Sequence, residues 1–441
     1  IEKHQHLNAF NEVFFDSATK QAEEIQAKLE SGSAGKLAGM VIGIKDNICY
    51  EGHVVTASSK MLENFVSPYS STVVKRLLAE DAIIIGRLNC DEFAMGGSNE
   101  TSYFGTVKNA ADEERVAGGS SGGSAVAVQA DMCLAALGTD TGGSVRQPAA
   151  FCGNIGFKPT YGRISRYGVI AYASSFDQVG TLTSSVTDAA LLLEVLAGAD
   201  ENDSTVSSLE VPKYSENLSQ SGKKKIAVLK ETIESDALDP ETKEAILSAI
   251  EKFKADGHEV TEVSFDLLEY LVPTYYILTT AEASSNLSRY DGVHYGYRNT
   301  QAQSLNQLYK SSRAEGFGEE VKRRIMLGTF VLSAGYYDAY YQKAQKVRRL
   351  IREKIETLLK DHDVLVSPVA PTPAFKIGEN VQDPLVMYVA DIYTVLASLA
   401  GIPAVALPLG NNSAGLPLSI QLMTKHFNEQ VLLNLSHSFL K

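Results

Sequence analysis

Apolar residues never run uninterrupted for the roughly 18–20 positions that a membrane-spanning helix needs, so no membrane span is expected. Cysteine is scarce. Cys49, Cys90, Cys133 and Cys152 show no CxxC or CxxH spacing, which argues against a zinc site or a disulfide framework and fits a reducing compartment. Basic charge is in deficit, with 40 Lys and Arg against 53 Asp and Glu and a formal net charge of −13. A chain this acidic is poorly suited to gripping nucleic-acid phosphates over a broad face. The basic runs Lys223–Lys225, Lys322–Arg324 and Lys346–Arg352 read as solvated helix faces and loops. No repeat, low-complexity tract or Pro/Gly/Ser linker divides the 441 residues, which favours one interlocked domain over 1–441. What is present is ordinary globular composition, 44% hydrophobic and 21% charged, with ample material for a large core. The chain opens on Ile1 rather than Met, so an organellar leader stays open beside a cytoplasmic location.

Glycine is abundant in one place. Eleven of the 34 glycines fall between Ala117 and Gly168. Glycine serves where backbone must turn tightly or approach a ligand. The apolar runs Ala125–Val128 and Met132–Leu137 interleave with it and demand burial, so this block reads as an active-site scaffold rather than a linker. Elsewhere the pattern is α/β. Strands are expected at Gly39–Ile44 and Ala82–Ile85, the second after a helix through Val73–Ala79. Lys224–Leu229, a helix from Asp239 to Ala255 and His258–Phe265 read as strand–helix–strand, with Asp239 and Pro240 as cap and first residue. Phe317–Leu359 reads as mostly helical, with breaks at Gly328 and Gly335. Asp363–Val369 reads as a strand, and Leu399–Leu409 with Leu416–Leu422 as a late strand pair.

Two serine-centred glycine motifs carry the chemistry, Gly118–Ser124 and Gly138–Arg146. A serine that follows two glycines sits on a tight turn. The N–H groups of Thr141, Gly142 and Gly143 are placed to converge on an oxyanion beside Ser144, as acyl transfer requires. A serine nucleophile needs a base, and no histidine falls between His53 and His258, the stretch holding both motifs. That counts against a Ser-His-Asp triad, although a distant histidine can still fold in. The other candidate base is lysine, whose pKa falls on burial. Lys45 directly follows the apolar strand Met40–Ile44. Taken alone, it reads equally well as half of an ion pair with Asp46 or another carboxylate.

Four segments, Met40–Asn47, Gly118–Ser124, Gly138–Ala149 and Gly156–Arg163, together resemble the amidase signature family, and the resemblance spans essentially the whole chain. It implies an α/β fold: one large domain with a mixed, mostly parallel central sheet covered by helices on both sides. It also implies a Ser–cis-Ser–Lys triad, with Ser144 as acyl nucleophile, Ser120 as the bridging serine after a non-proline cis peptide, and Lys45 as base. Ser121 and Ser124 are expected to be backbone-bonding helix-start residues.

Within the family, Glu315–Gly318, Val321–Ile325, Gly335–Tyr341 and Ala400–Pro403 look like the glutamine-hydrolysing subunits of tRNA-dependent amidotransferases. That resemblance implies glutamine as substrate, with Arg324 on its α-carboxylate, Asp391 on its α-ammonium and Tyr275 lining the pocket. It implies B and C partner subunits, and tRNA bound mainly through the partner. It places ATP and Mg²⁺ on the partner as well, with no cofactor or metal on this chain. The N-terminal helical region usual in that subunit is mostly missing, and Ala110–Arg115 departs from its shorter, Pro-rich lead into the serine loop. Two other readings compete. A stand-alone amidase would act on a different amide. A non-catalytic assembly subunit would not need the intact Lys45, Ser120 and Ser144.

Overall fold

The computed structural model describes residues 1–218, 222–380 and 388–441. Eleven strands among them form one sheet: β1 Phe10–Val13, β2 Val41–Lys45, β3 Ile83–Leu88, β4 Ala135–Asp140, β5 Ile155–Lys158, β6 Gln178–Thr183, β7 Lys225–Leu229, β8 Glu259–Val263, β9 Val364–Ser367, β10 Ala404–Asn411 and β11 Pro417–Met423. Their spatial order is β1-β3-β2-β4-β6-β5-β10-β11-β9-β7-β8.

Side chains alternate between the two faces, as the two-residue period of a strand requires. Ile42, Ile44, Ala135, Leu137, Ile226, Val228, Val405 and Leu407 pack with the helices Thr72–Ala79, Val186–Leu196, Pro240–Ala255 and Glu429–Phe439. The intervening residues Ala136, Ala227, Leu365, Ala404 and Ala406 face the other way. There the helices Gly122–Gln129, Arg146–Cys152, Leu268–Asn286, Lys343–Asp361 and Val395–Ala400 cover the sheet. The helix-covered α/β architecture is therefore as expected. No helix among the described residues is long and apolar enough to cross a membrane.

The balance of strand directions differs from the expectation of a mostly parallel sheet. Six neighbouring pairs are antiparallel and four parallel. Parallel pairing is confined to β3-β2-β4 and β8-β7-β9, and each of these flanks contains a strand–helix–strand unit. The centre is built from antiparallel returns, β4-β6-β5, and from the β10–β11 pair.

Local signals held where capping chemistry was explicit. Asp239 accepts the Thr242 N–H at 2.8 Å and Pro240 is the first residue of its helix. Gly328 does not break a helix. It lies inside Glu319–Val331, where any Cβ would collide with the Thr280 carbonyl, so it lets two helices touch. The break falls around Gly335, followed by one π-helical turn at Tyr337–Gln342. Leu399 and Ala400 end a helix and do not open β10.

Strands β2 and β4 are adjacent and parallel, with Ile44 beside Leu137. Lys45 and the turn after Asp140 consequently leave the sheet at the same end. This juxtaposition places the site.

Candidate active site

Lys45 is completely buried at the end of β2. Its Nζ lies 2.7 Å from Ser120 Oγ, 2.8 Å from Ser121 Oγ and 3.0 Å from Thr139 Oγ1. The ion-pair alternative is resolved by the neighbour: Asp46 pairs with Arg87 at 2.9 Å, and Lys45 makes no ion pair among the described residues. Burial lowers the Lys45 pKa to about 8, against the opposing pull of Cys90, Asp91 and Asp140. About one lysine in ten is then neutral at pH 7, far more than at an ordinary lysine.

Ser120 is buried, and the Gly119–Ser120 peptide is cis. The surrounding turn is pinned on three sides. The Gly119 N–H donates to Gln147 Oε1 at 2.9 Å, the Ser120 carbonyl accepts the Asp91 N–H at 3.1 Å, and any Cβ on Gly119 would strike the Asp91 carboxylate. Only glycine fits there. Ser121 departs from its expected role. It makes no helix-capping bond, and its hydroxyl serves Lys45 and the Thr139 backbone instead. Ser124 does bond to backbone, donating to the Leu137 carbonyl at 3.1 Å.

Ser144 sits on the turn between β4 and the helix Arg146–Cys152, 8% exposed, its carbonyl accepting the Ser121 N–H at 3.2 Å. Asp140 shapes this turn. Its carboxylate accepts the Gly143 N–H at 2.9 Å and the Val145 N–H at 3.2 Å, and it forms a two-pronged pair with Arg146 at 3.0 and 2.9 Å. Burial alone would raise the Asp140 pKa, but Arg146 outweighs it and holds the carboxyl below its usual range. One expectation is corrected here. The Gly143 N–H is engaged by Asp140, so of the three candidate oxyanion donors Thr141 and Gly142 remain. Gly143 adopts φ +139°, where a side chain would also run into Thr394.

The candidate clamp forms a second cluster. Arg324 is buried, not solvated as its basic run suggested, and lines a cavity of 270 Å³ together with Asp391, Tyr276, Glu320, Tyr388 and Ser98. Arg324 Nε donates to Glu320 Oε1 at 2.8 Å and Nη1 to the Tyr172 hydroxyl at 3.0 Å. Asp391 accepts the Tyr276 hydroxyl at 2.7 Å, and burial raises its pKa to about 6. Tyr275 is not in this cavity wall. Its phenol lies against Gly142, where any Cβ would meet the ring, so it abuts the Ser144 turn. Arg146 links the two clusters. It donates to the Thr394 carbonyl at 2.8 Å, and Thr394 N–H in turn bonds the Asp391 carbonyl at 3.1 Å.

Sequence reasoning missed Ser121 and Thr139 as ligands of the lysine, along with Tyr172, Tyr276 and Glu320. Only Glu320 left a local signal, standing four residues before Arg324 on one helix face.

A family model described as Amidase matches residues 1–433. Among curated relatives, the A subunit of the glutamyl-tRNA(Gln) amidotransferase of Bdellovibrio bacteriovorus is 52% identical, covering 98% of this chain and 89% of its own. That of Koribacter versatilis is 50% identical, covering 98% and 90%. Among solved structures, the corresponding polypeptide from Thermotoga maritima aligns with a TM-score of 0.78 at 40% identity, covering 94% of this chain and 90% of that one. A crystal structure described as an amidase aligns with a TM-score of 0.83 at 29% identity, covering 100% and 92%. With its glycine-rich serine turns, its buried lysine and these matches along nearly its whole length, the chain belongs to the amidase family.

Proposed function

We propose that the chain is the glutamine-hydrolysing subunit of a tRNA-dependent amidotransferase that converts Glu-tRNA(Gln), or Asp-tRNA(Asn), to its amidated form. The observation that carries the chemistry is Lys45, buried, without an ion-pair partner among the described residues and 2.7 Å from the Ser120 hydroxyl. The relatives named above carry the assignment to the amidotransferase.

Neutral Lys45 accepts the Ser120 proton as Ser120 accepts that of Ser144. Ser144 Oγ attacks the side-chain amide carbon of glutamine. The Thr141 and Gly142 N–H groups face the developing oxyanion. Collapse of the tetrahedral adduct breaks the C–N bond, and the proton returns through Ser120 to the leaving nitrogen, releasing ammonia. Water then hydrolyses the glutamyl-Ser144 ester to glutamate. Arg324 pairs with the α-carboxylate and Asp391 with the α-ammonium. These groups are unchanged by the reaction, so the clamp supplies positioning. Ammonia would pass to the B subunit, which would hold ATP and Mg²⁺ for activation of the tRNA-bound carboxylate, with a C subunit completing the assembly. The acidic balance of this chain, −13, agrees with tRNA binding through the partner.

Ammonia release is measured from glutamine and from butyramide, with wild type and Arg324→Ala, alone and with copurified partners. The expected result is a fall of about 2–4 kcal/mol in the preference for glutamine in Arg324→Ala, the range for breaking a charge-assisted pair. Equal losses for both amides would make Arg324 structural and favour the stand-alone amidase reading.

A further inference from the structure

Tyr276 stands between the two charged ends of the cavity. It comes from the helix Leu268–Asn286, whereas Arg324 comes from Glu319–Val331 and Asp391 precedes the helix Val395–Ala400. It touches both. Its hydroxyl donates to Asp391 Oδ2 at 2.7 Å, and its ring centre lies 5.3 Å from the Arg324 guanidinium carbon. The ring is stacked on Tyr388, 4.0 Å between centres and 27° between planes. Tyr388 and Tyr172 complete a three-ring sleeve around the guanidinium at 5.6 and 5.5 Å. Glu320 holds Nε and Tyr172 holds Nη1, while Nη2 has no partner among the described residues. The cation thus keeps Nη2 free in a fixed plane, a charged donor for a carboxylate.

Asp391 is held differently. A carboxylate drawn even partly out of water is costly unless a donor satisfies it, and a hydroxyl donor both stabilises the anion and fixes its direction. Tyr276 supplies that donor, from the same ring that bounds the place of Arg324.

We propose that Tyr276 is the positioning residue that fixes Asp391 relative to Arg324, and that it sets the preference for amides carrying both an α-ammonium and an α-carboxylate. This rests on the reading of the cavity as an α-amino-acid clamp. Tyr276→Phe keeps the ring against Arg324 and Tyr388 and removes only the donor to Asp391.

The test compares glutamine with glutaramate, the same molecule without its α-amine, in the full chain with its partner subunits. In Tyr276→Phe the glutamine-to-glutaramate ratio of kcat/KM is expected to fall about tenfold, through KM, the size for losing a hydrogen bond to a charged group. Asp391→Asn and the double variant complete a cycle, and the double variant should be no worse than Asp391→Asn alone. An unmoved ratio, additive losses, or equal kcat losses for both substrates would overturn the role of Tyr276. A wild type that does not prefer glutamine to glutaramate would overturn the clamp itself.

Discussion

Lys45 and Lys158 end strands β2 and β5 of one sheet, both are buried, and burial lowers the pKa of both, to about 8 and about 7. They differ in what stands within reach. Lys45 meets the hydroxyls of Ser120, Ser121 and Thr139, whereas Lys158 Nζ donates to the Pro159 carbonyl at 2.9 Å. A carbonyl oxygen has no proton to give. A low lysine pKa therefore reports burial, and a general base needs an acidic hydroxyl beside it as well. Of the two, the lysine with the lower pKa is the one with no proton to take.

The comparison breaks most severely if the nucleophile that Lys45 serves is wrong. Ser144→Ala should abolish the acyl-enzyme while leaving the melting temperature unchanged, since one hydroxyl is lost from a turn held by Asp140 and Arg146. Mass spectrometry after incubation with glutamine reads the adduct, and a glutamyl group on another residue of the folded variant would refute the assignment. Next in size, Lys45→Ala should lose on the order of 10²–10⁴-fold in kcat, and Lys45→Arg should not rescue it, because arginine stays protonated. Near-normal activity in Lys45→Arg would exclude a deprotonated lysine at that position.

The pH profile sharpens the contrast. On the proposed mechanism the base form of Lys45 is the active one, so kcat/KM should rise with pH and level off above about 8. Lys158→Met should leave that limb in place; a limb that disappears with Lys158 would reverse the assignment. Stability carries the same sign. Each folded pKa lies below the ordinary lysine value of 10.5, so the unfolded chain binds more protons between the two values. Stability should rise with pH from about 7–8 toward 10.5, and the part due to Lys158 should vanish in Lys158→Met. The smallest effect is on rate. Lys158→Met should change kcat by less than about threefold, since Lys158 Nζ bonds the Pro159 carbonyl and none of the hydroxyls around Lys45. Initial rates and thermal melts at pH 7 check both points, and a large loss of activity in a folded Lys158→Met would place Lys158 in the machinery.

How much could be read from the sequence follows the range of the interactions involved. Lys45 was legible because an apolar strand leads straight into it, and Ser120 and Ser144 because glycines frame them. Thr139 and Ser121 were not, since their contact with Lys45 spans 94 and 76 residues and no local pattern announces it. Tyr275 and Tyr276 are adjacent in sequence, but consecutive helical residues point about 100° apart, so choosing the one in the cavity needs the packing of the whole helix. Arg324 in a basic run looks solvated until the rings of Tyr172, Tyr276 and Tyr388 close over it. The strand–helix–strand units and the late β10–β11 pair were readable, but the rest of the antiparallel centre was not, because β5 meets β10 only after some 250 residues of intervening chain. Gly328 looked like a breaker because a glycine that permits close helix contact has the same sequence signature as one that ends a helix.

The place of β10 and β11 in the sheet has a consequence for how the protein is made. They lie between β5 and β9, so until they emerge the strands form two half-sheets with bare facing edges. Arg146, buried two residues after Ser144, takes Thr394, Ser398 and Gln421 as partners, all from the last fifty residues. Ribosomes add about 5–20 residues per second, so residues 159–423 take on the order of tens of seconds to appear. Through that interval the edge of β5 stays open, and once β9 has emerged at residue 367 the nascent chain carries two open sheet edges, the surfaces most prone to pair with a neighbour, and a Ser144 turn without its central support. A message truncated before residue 404 would release a chain in that state, so the late strands are the closure of the fold.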